Sequence, residues 1–301
     1  MCIRDSLNTN APLSHVLAQT AFVLPGELNF LLGSDETLQT GIAETARDFE
    51  QKTTDYWRQW TRRLALPLEW QDAVIRAAIT LKLSLYEDTG AIIAAMTTSI
   101  PEAPGSSRNW DYRYCWLRDA FFVVRALNSL SEVATMEDYL RWMSNVVIDS
   151  QGGHIQPLFG IGLEKSLPES FVDNLPGYRG MGPVRVGNQA QEHFQHDVYG
   201  NVILGAAQAF HDHRLLHRAG AREFRALERV GEQAVRVFDQ PDAGMWELRT
   251  RARIHTSSAI MSWAACDRLA KIAATLKLPD RADYWACLLY TSPSPRDQRG
   301  S

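Results

Sequence analysis

The stretch SIPEAPGSSRNWDYRYCWLRDA, Ser99 to Ala120, places Arg108, Trp110, Tyr112, Arg113, Tyr114 and Trp116 ahead of an Arg118-Asp119 pair that opens an apolar helical run. Aromatic faces stack on the C–H faces of pyranose rings, and adjacent Arg and Asp side chains hold neighbouring hydroxyls by charge-assisted, partly bidentate hydrogen bonds. The composition therefore suits sugar recognition. It equally suits a packed aromatic turn in which Asp119 caps the following helix, and composition alone does not separate the two.

Outward from this stretch the pattern is almost wholly helical. Trp70, Val74, Ala78, Leu81 and Leu85 form one apolar face, Phe121, Val124, Leu127 and Leu130 a second, and Val202, Ala206 and Phe210 a third. Further faces run through Phe224, Leu227, Val230, Ala234 and Val237, and through Ala259, Trp263, Cys266, Leu269 and Ala273. Upstream, Ile42, Ala46, Phe49, Thr53, Tyr56, Trp57 and Trp60 predict a charged amphipathic helix ending before Pro67, while the short apolar runs around Pro25-Gly26 predict strands. The class is mainly α, and periodicity leaves bundle, solenoid and toroid open. Residues 150–197, rich in Gly, Pro, Asn and Gln, carry no sustained period and are longer than a connector requires. Phe159, Phe171, Tyr178 and Phe194 predict that this loop is ordered, and Asn188, Gln189, Gln195 and Asp197 offer partners for hydroxyls.

The wording of four segments resembles glycoside hydrolase family 15, the glucoamylase-like enzymes. They are PE-x-x-G-x-x-RNWDYRYCWLRDA, GGHIQPLFGIGLEKSLPE (152–169), NLPGYRGMGPVRVGNQAQEHFQHDVYGNVIL (174–204) and AGMWELRTRARIHTSSAIMSWAACDRL (243–269), in the order bacterial members show, and the resemblance covers roughly residues 40 to 286. It implies an (α/α)6 barrel, a six-hairpin toroid that is incomplete here, with loops at one end building the site. Residues 67–286 would form the N-terminal part of that barrel, 36–66 a helical linker, and 7–35 a remnant of an N-terminal β-sandwich. The terminal stretches 1–6 (MCIRDS) and 287–301 (from Cys287) resemble translated sequencing-adapter read-through and are set aside, as on a truncated metagenomic fragment.

With those ends removed, only Cys115 and Cys266 remain, with neither C-x-x-C spacing nor an even framework, so zinc and disulfide scaffolds are not expected. A 45% hydrophobic chain with nine Trp and net charge −4 has ample core and no electrostatic pull toward nucleic acid or anionic membrane. No apolar run reaches membrane-spanning length, and the expected location is cytoplasmic. His213 and His217 sit one turn apart if helical, yet Arg214 and Arg218 crowd them, so no metal is expected. No nucleotide motif is present and no cofactor is expected.

Cleaving a glycosidic bond takes a protonated carboxyl to donate to the departing oxygen and an ionised one to activate water. The donor needs a raised pKa, which burial beside an aromatic ring supplies. Glu247 in DAGMWELR, next to Trp246 in a loop entering a helix, fits, although a carboxylate in a first helical turn is also favourable on its own. The resemblance makes Glu247 the general acid and Arg118 and Asp119 the holders of a terminal glucose. It makes Trp116 and Trp246 the walls, with Trp110 and Tyr112 stacking behind them, and draws Gln195 and Asp197 toward substrate. The family's general base would lie beyond this chain, and nothing promotes Glu169 or Glu192 to that role. Leu248, followed by Arg249, stands where fungal relatives carry a second acid directly after the general acid. The resemblance thus implies a fragment of an inverting exo-acting α-glucoside hydrolase, inactive without its base. Its partner would be a small oligosaccharide or disaccharide ending in α-glucose. Trehalose hydrolysis within the family and non-catalytic carbohydrate binding are the alternatives.

Overall fold

The computed structural model describes residues 5–24, 26–34 and 37–291. Residues 1–4 and 292–301 of the terminal stretches, Pro25 of the predicted strand break, and residues 35–36 lie outside the described residues. The chain divides into two compact units, one ending at Leu64 and one beginning at Ala65.

The first unit holds an antiparallel ribbon of β1 (Asp5–Thr9) and β2 (Phe30–Ser34), with Leu7 opposite Leu32 and Thr9 opposite Phe30. The ribbon includes Asp5 and Ser6, from the stretch set aside on sequence grounds. A short helix, α1 (Leu13–Ala18), follows β1 where only strands were expected. Six residues give no full apolar period, so its pattern is indistinguishable from a strand's. The predicted linker helix is α2 (Ile42–Arg62), in which Trp57 and Trp60 meet edge to face at 5.6 Å.

The second unit begins with α3 (Gln71–Leu83). Trp70 does not continue its apolar face. It sits before the first turn at φ 62°, 79% exposed. Next come the two-stranded ribbon β3 (Leu85–Tyr86) with β4 (Ala91–Ile92), then β5 (Cys115–Trp116) leading directly into α4 (Leu117–Ser129). Helix α5 (Ala134–Ser150) follows; it was not singled out from sequence, although Met136, Tyr139, Trp142, Met143, Val146 and Val147 are buried at helical spacing. In the long loop, β6 (Leu158–Phe159) pairs with β5, and β7 (Ser170–Phe171) pairs with β8 (Arg185–Val186). That loop is structured, but of its four aromatics only Phe159 is buried. Phe171, Tyr178 and Phe194 are exposed.

Helices α6 (Asp197–His211), α7 (Ala221–Val237), α8 (Thr256–Thr275) and α9 (Pro279–Thr291) complete the unit. The predicted faces of α6, α7 and α8, together with α9, meet α4 and α5 in one core around Trp142, Phe210, Phe224, Leu269 and Trp285. Helix α9 runs on past Cys287, and Leu288 and Leu289 pack against that core. Burial pushes the Cys115 thiol up to about 12 and that of Cys266 up to about 11, which makes both poor nucleophiles. Among the described residues no helix is long and apolar enough to cross a membrane.

Helix α6 is buried on nearly every side, and its approach to α8 depends on Gly200, where a Cβ would fall 2.3 Å from the Met261 carbonyl oxygen. At Gly231 of α7 the obstruction is instead the tips of the Leu269 and Trp285 side chains. Backbone cannot give way as side-chain tips can. Gly200→Ala is therefore expected to cost about 3 kcal/mol and Gly231→Ala less, measured by urea denaturation. Equal losses would show that the α6–α8 crossing is not limiting.

The predicted one-turn spacing of His213 and His217 is not realised. Helix α6 ends at His211, and residues 212–219 form a turn in which Asp212 receives the Arg214 guanidinium. That hydrogen bonding holds the Asp212 carboxyl far below the usual carboxylate range.

Candidate active site

A cavity of about 570 Å³ opens where the loop after β4, the start of α4 and the turn 242–250 converge. Pairing of Trp116 with Leu158 fixes the indole just before α4, and the next turn presents Arg118 and Asp119. Glu247 lies opposite on a turn closed at its base by the Asp242–Arg253 bridge. The expected entry into a helix at Glu247 is not found, since α8 begins only at Thr256. The φ of Glu247 is 54°, a left-handed conformation uncommon for a side-chain-bearing residue and frequent where function fixes geometry.

The Glu247 carboxylate is held by two residues from the Ser99–Ala120 stretch. The Trp116 indole N–H donates to its Oε1 at 2.6 Å, and Arg118 Nη2 lies 3.5 Å from the same oxygen. The aromatic partner is thus Trp116, while Trp246, 80% exposed, stands at the cavity edge.

Arg118 is the centre of the arrangement. Its Nε lies 3.6 Å from Asp119 Oδ2, its Nη1 lies 3.6 Å from Asp197 Oδ2, and Nη1 also donates to Gln195 Oε1 at 3.0 Å. Burial raises the Asp119 carboxyl, with Glu247 adding to the effect and Arg118 opposing it. Burial likewise raises Asp197, again against Arg118. Asp119 Oδ2, Asp197 Oδ1 and Gln195 Nε2 find no hydrogen-bond partner among the described residues. Gln195 and Asp197 are both buried and do not line the cavity, so they back Arg118 from behind.

The remaining wall is a guanidinium–indole stack. Arg249 sits 4.1 Å over the Trp110 ring and Arg185 4.7 Å from it, and the Trp110 N–H donates to Glu102 at 2.8 Å. Glu169 receives Arg249 in bidentate fashion at 3.1 and 2.7 Å and Arg185 at 2.6 Å. Burial raises the Glu169 carboxyl, but the two arginines outweigh it and hold it below its usual range. Tyr112 lies against Trp116, ring centres 6.1 Å apart, and burial raises its hydroxyl.

This constellation falls within residues 69–289, which match the profile of glycosyl hydrolases family 15. The chain belongs to that family. It is 36% identical over 254 residues to a trehalase of Mycobacterium tuberculosis, covering 81% of this chain and 36% of that relative. It is 34% identical over 239 residues to a trehalase of Thermoplasma volcanium, covering 78% of this chain and 37% of that one. The chain thus spans little more than a third of the curated relatives it matches. Among solved structures, a bacterial glucoamylase complexed with acarbose aligns with TM-score 0.53 at 17% identity, over 87% of this chain and 35% of that one. That likeness shows the glucoamylase-type helical fold.

Within this family 15 cavity, Trp110, Tyr112, Trp116, Arg118, Asp119, Trp246 and Glu247 all line one space. His193 joins them unannounced. It stands at the end of a 3-10 turn (Gln189–Glu192), both ring nitrogens lack a partner among the described residues, and burial lowers its pKa. A single histidine in a polar loop carries no sequence signal for such a place. Asn188 braces its own loop, its side chain accepting from the Ala190 N–H and donating to the Asp111 carbonyl.

Proposed function

We propose that this cavity hydrolyses the glycosidic bond of a small α-linked glucoside, α,α-trehalose, with inversion, and that Glu247 donates the proton. The observation that carries the reading is the Glu247 carboxylate held against the cavity by Trp116 and Arg118, beside Asp119. The relatives named trehalase move the preference from glucose release at the non-reducing end of a small α-glucoside, the first expectation, to trehalose, its alternative.

In this scheme Arg118 and Asp119 hold hydroxyls of one glucose, while Gln195 and Asp197 keep the Arg118 fork in place. Trp116, Trp246, Tyr112 and Trp110 supply apolar faces for the ring carbons. As the C1–O bond breaks, the Glu247 proton passes to the departing oxygen, and water bonds to C1 from the opposite face, giving its proton to a base. That base is assigned to no residue of this chain. A second reading, sugar binding without turnover, draws on one observation. Of the three carboxylates lining the cavity among the described residues, Glu102 is bound by Arg108 and Trp110, and Asp119 pairs with Arg118.

Incubation of the chain with trehalose, maltose and dextrin, followed by proton NMR of the nascent sugars, tests both. Inverting trehalose cleavage releases α- and β-glucose in equal amounts before mutarotation. Release from maltose or dextrin but not trehalose overturns the choice of substrate. Calorimetric binding of trehalose with no release from any of the three, also when the chain is extended to the length of its relatives, establishes the second reading.

A further inference from the structure

Asp242 is 1% exposed, yet its side chain ties together three segments. Oδ2 accepts the backbone N–H of His196 at 2.7 Å, where the chain turns into α6, and the Ser258 hydroxyl at 2.7 Å, in the first turn of α8. Oδ1 accepts the backbone N–H of Gly244 at 3.2 Å, within the turn that carries Glu247, and lies 3.8 Å from His255 Nε2. Gly244 adopts φ 65°, and a Cβ there would fall 2.7 Å from the His255 ring, so the imidazole floors the same turn. His196 adjoins Gln195 and Asp197, which back Arg118.

One buried carboxylate thus sets both sides of the Arg118–Glu247 pair. A buried carboxylate is costly unless its oxygens are fully used, and here they receive two backbone donors and a hydroxyl. The Trp116–Glu247 and Arg118–Glu247 distances depend on where that turn stands, because the Trp116 and Arg118 backbones are fixed independently by β5 and α4.

We infer that Asp242 is a positioning residue that holds the Glu247 carboxylate at the bond to be cleaved by fixing its turn against α6 and α8. This rests on the sugar-hydrolase reading of the cavity. Asp242→Asn is a selective probe. With its single oxygen in place of Oδ2 it still accepts from His196 and Ser258, but its NH₂ group then faces the Gly244 N–H and frees only the Glu247 turn.

The experiment is titration calorimetry of the whole chain with two probes. One is glucose, which needs Arg118 and Asp119. The other is validoxylamine A, a pseudodisaccharide whose bridging secondary amine stands where trehalose has its glycosidic oxygen and so meets Glu247. Asp242→Asn is expected to weaken the amine probe by about tenfold or more while glucose affinity holds. Ser258→Ala, which removes one anchor on α8, shifts the amine probe in the same direction by less. Equal weakening of both probes, or of neither, overturns the positioning role even where the melting temperature falls. Failure of the unsubstituted chain to bind either probe overturns the sugar reading and this inference with it.

Discussion

In the chain extended to the length of its relatives, Glu247→Gln is expected to lower glucose release from trehalose by about 10²–10⁴-fold, the usual worth of a positioned proton donor. The amide keeps the shape of the carboxyl and an oxygen for the Trp116 indole N–H, so the 2.6 Å contact has a successor and substrate affinity changes little. What disappears is the transferable proton. The loss therefore falls in kcat with KM nearly constant, as for an interaction made only in the transition state. The leaving group supplies a sharper check. Fluoride departs without needing a proton, so α-glucosyl fluoride should lose much less rate in this variant than trehalose does. Trehalose turnover within a few fold of the unsubstituted chain would remove Glu247 from the role, and a loss of equal size on both substrates would mean the substitution disturbed the cavity instead.

Much of this arrangement was legible before the structure, for a definable reason. Trp116, Arg118 and Asp119 are consecutive or nearly so, and a strand end running into a helix start displays such residues on one side wherever the segment lies. The buried faces of α4, α6, α7 and α8 were readable because each repeats at helical spacing around Val124, Val202, Leu227 and Leu269. Other features depend on partners distant in the chain. Nothing near Glu247 in sequence shows that its aromatic neighbour is Trp116 and not the adjacent Trp246, since that contact spans 131 positions. Gln195 and Asp197 look like ligands for hydroxyls in a polar loop, and only their burial turns them toward Arg118. Trp70 looked like core by spacing and is exposed because the helix begins one residue later, at Gln71.

Arg118→Met should produce the largest change in stability at the cavity, and the dependence of that change on pH is its signature. The arginine side chain is only 18% exposed, and Asp197, at 4%, is enclosed with it. Removing one partner of such a pair leaves a buried charge uncompensated, at a cost of about 3–5 kcal/mol. Asp119 and Asp197 are already raised by burial, with Arg118 the foremost influence opposing it, so its loss raises both further. A carboxyl whose folded pKa lies above its unfolded value, about 3.9, binds its proton more tightly when folded, so stability falls as pH rises through that interval. Well below that unfolded value both groups are protonated in either state, and the variant should be close to the unsubstituted chain. At pH 7 it should show the full deficit, with glucose binding lost.

Arg118→Lys separates charge from shape. A lysine restores a positive charge near Asp119 and Asp197 but not the planar fork that meets Gln195, Asp197 and Glu247 together, so stability should return at pH 7 while glucose affinity does not. Urea denaturation of both variants at about pH 3 and at pH 7 decides the matter. A deficit in Arg118→Met that is equal at the two pH values would show that the arginine stabilises by packing alone, and recovery of sugar affinity in Arg118→Lys would show that the cavity asks only for a charge. The expected split requires both the buried Asp197 carboxylate behind Arg118 and the planar guanidinium facing the cavity, which is the arrangement a sugar hydroxyl pair would meet.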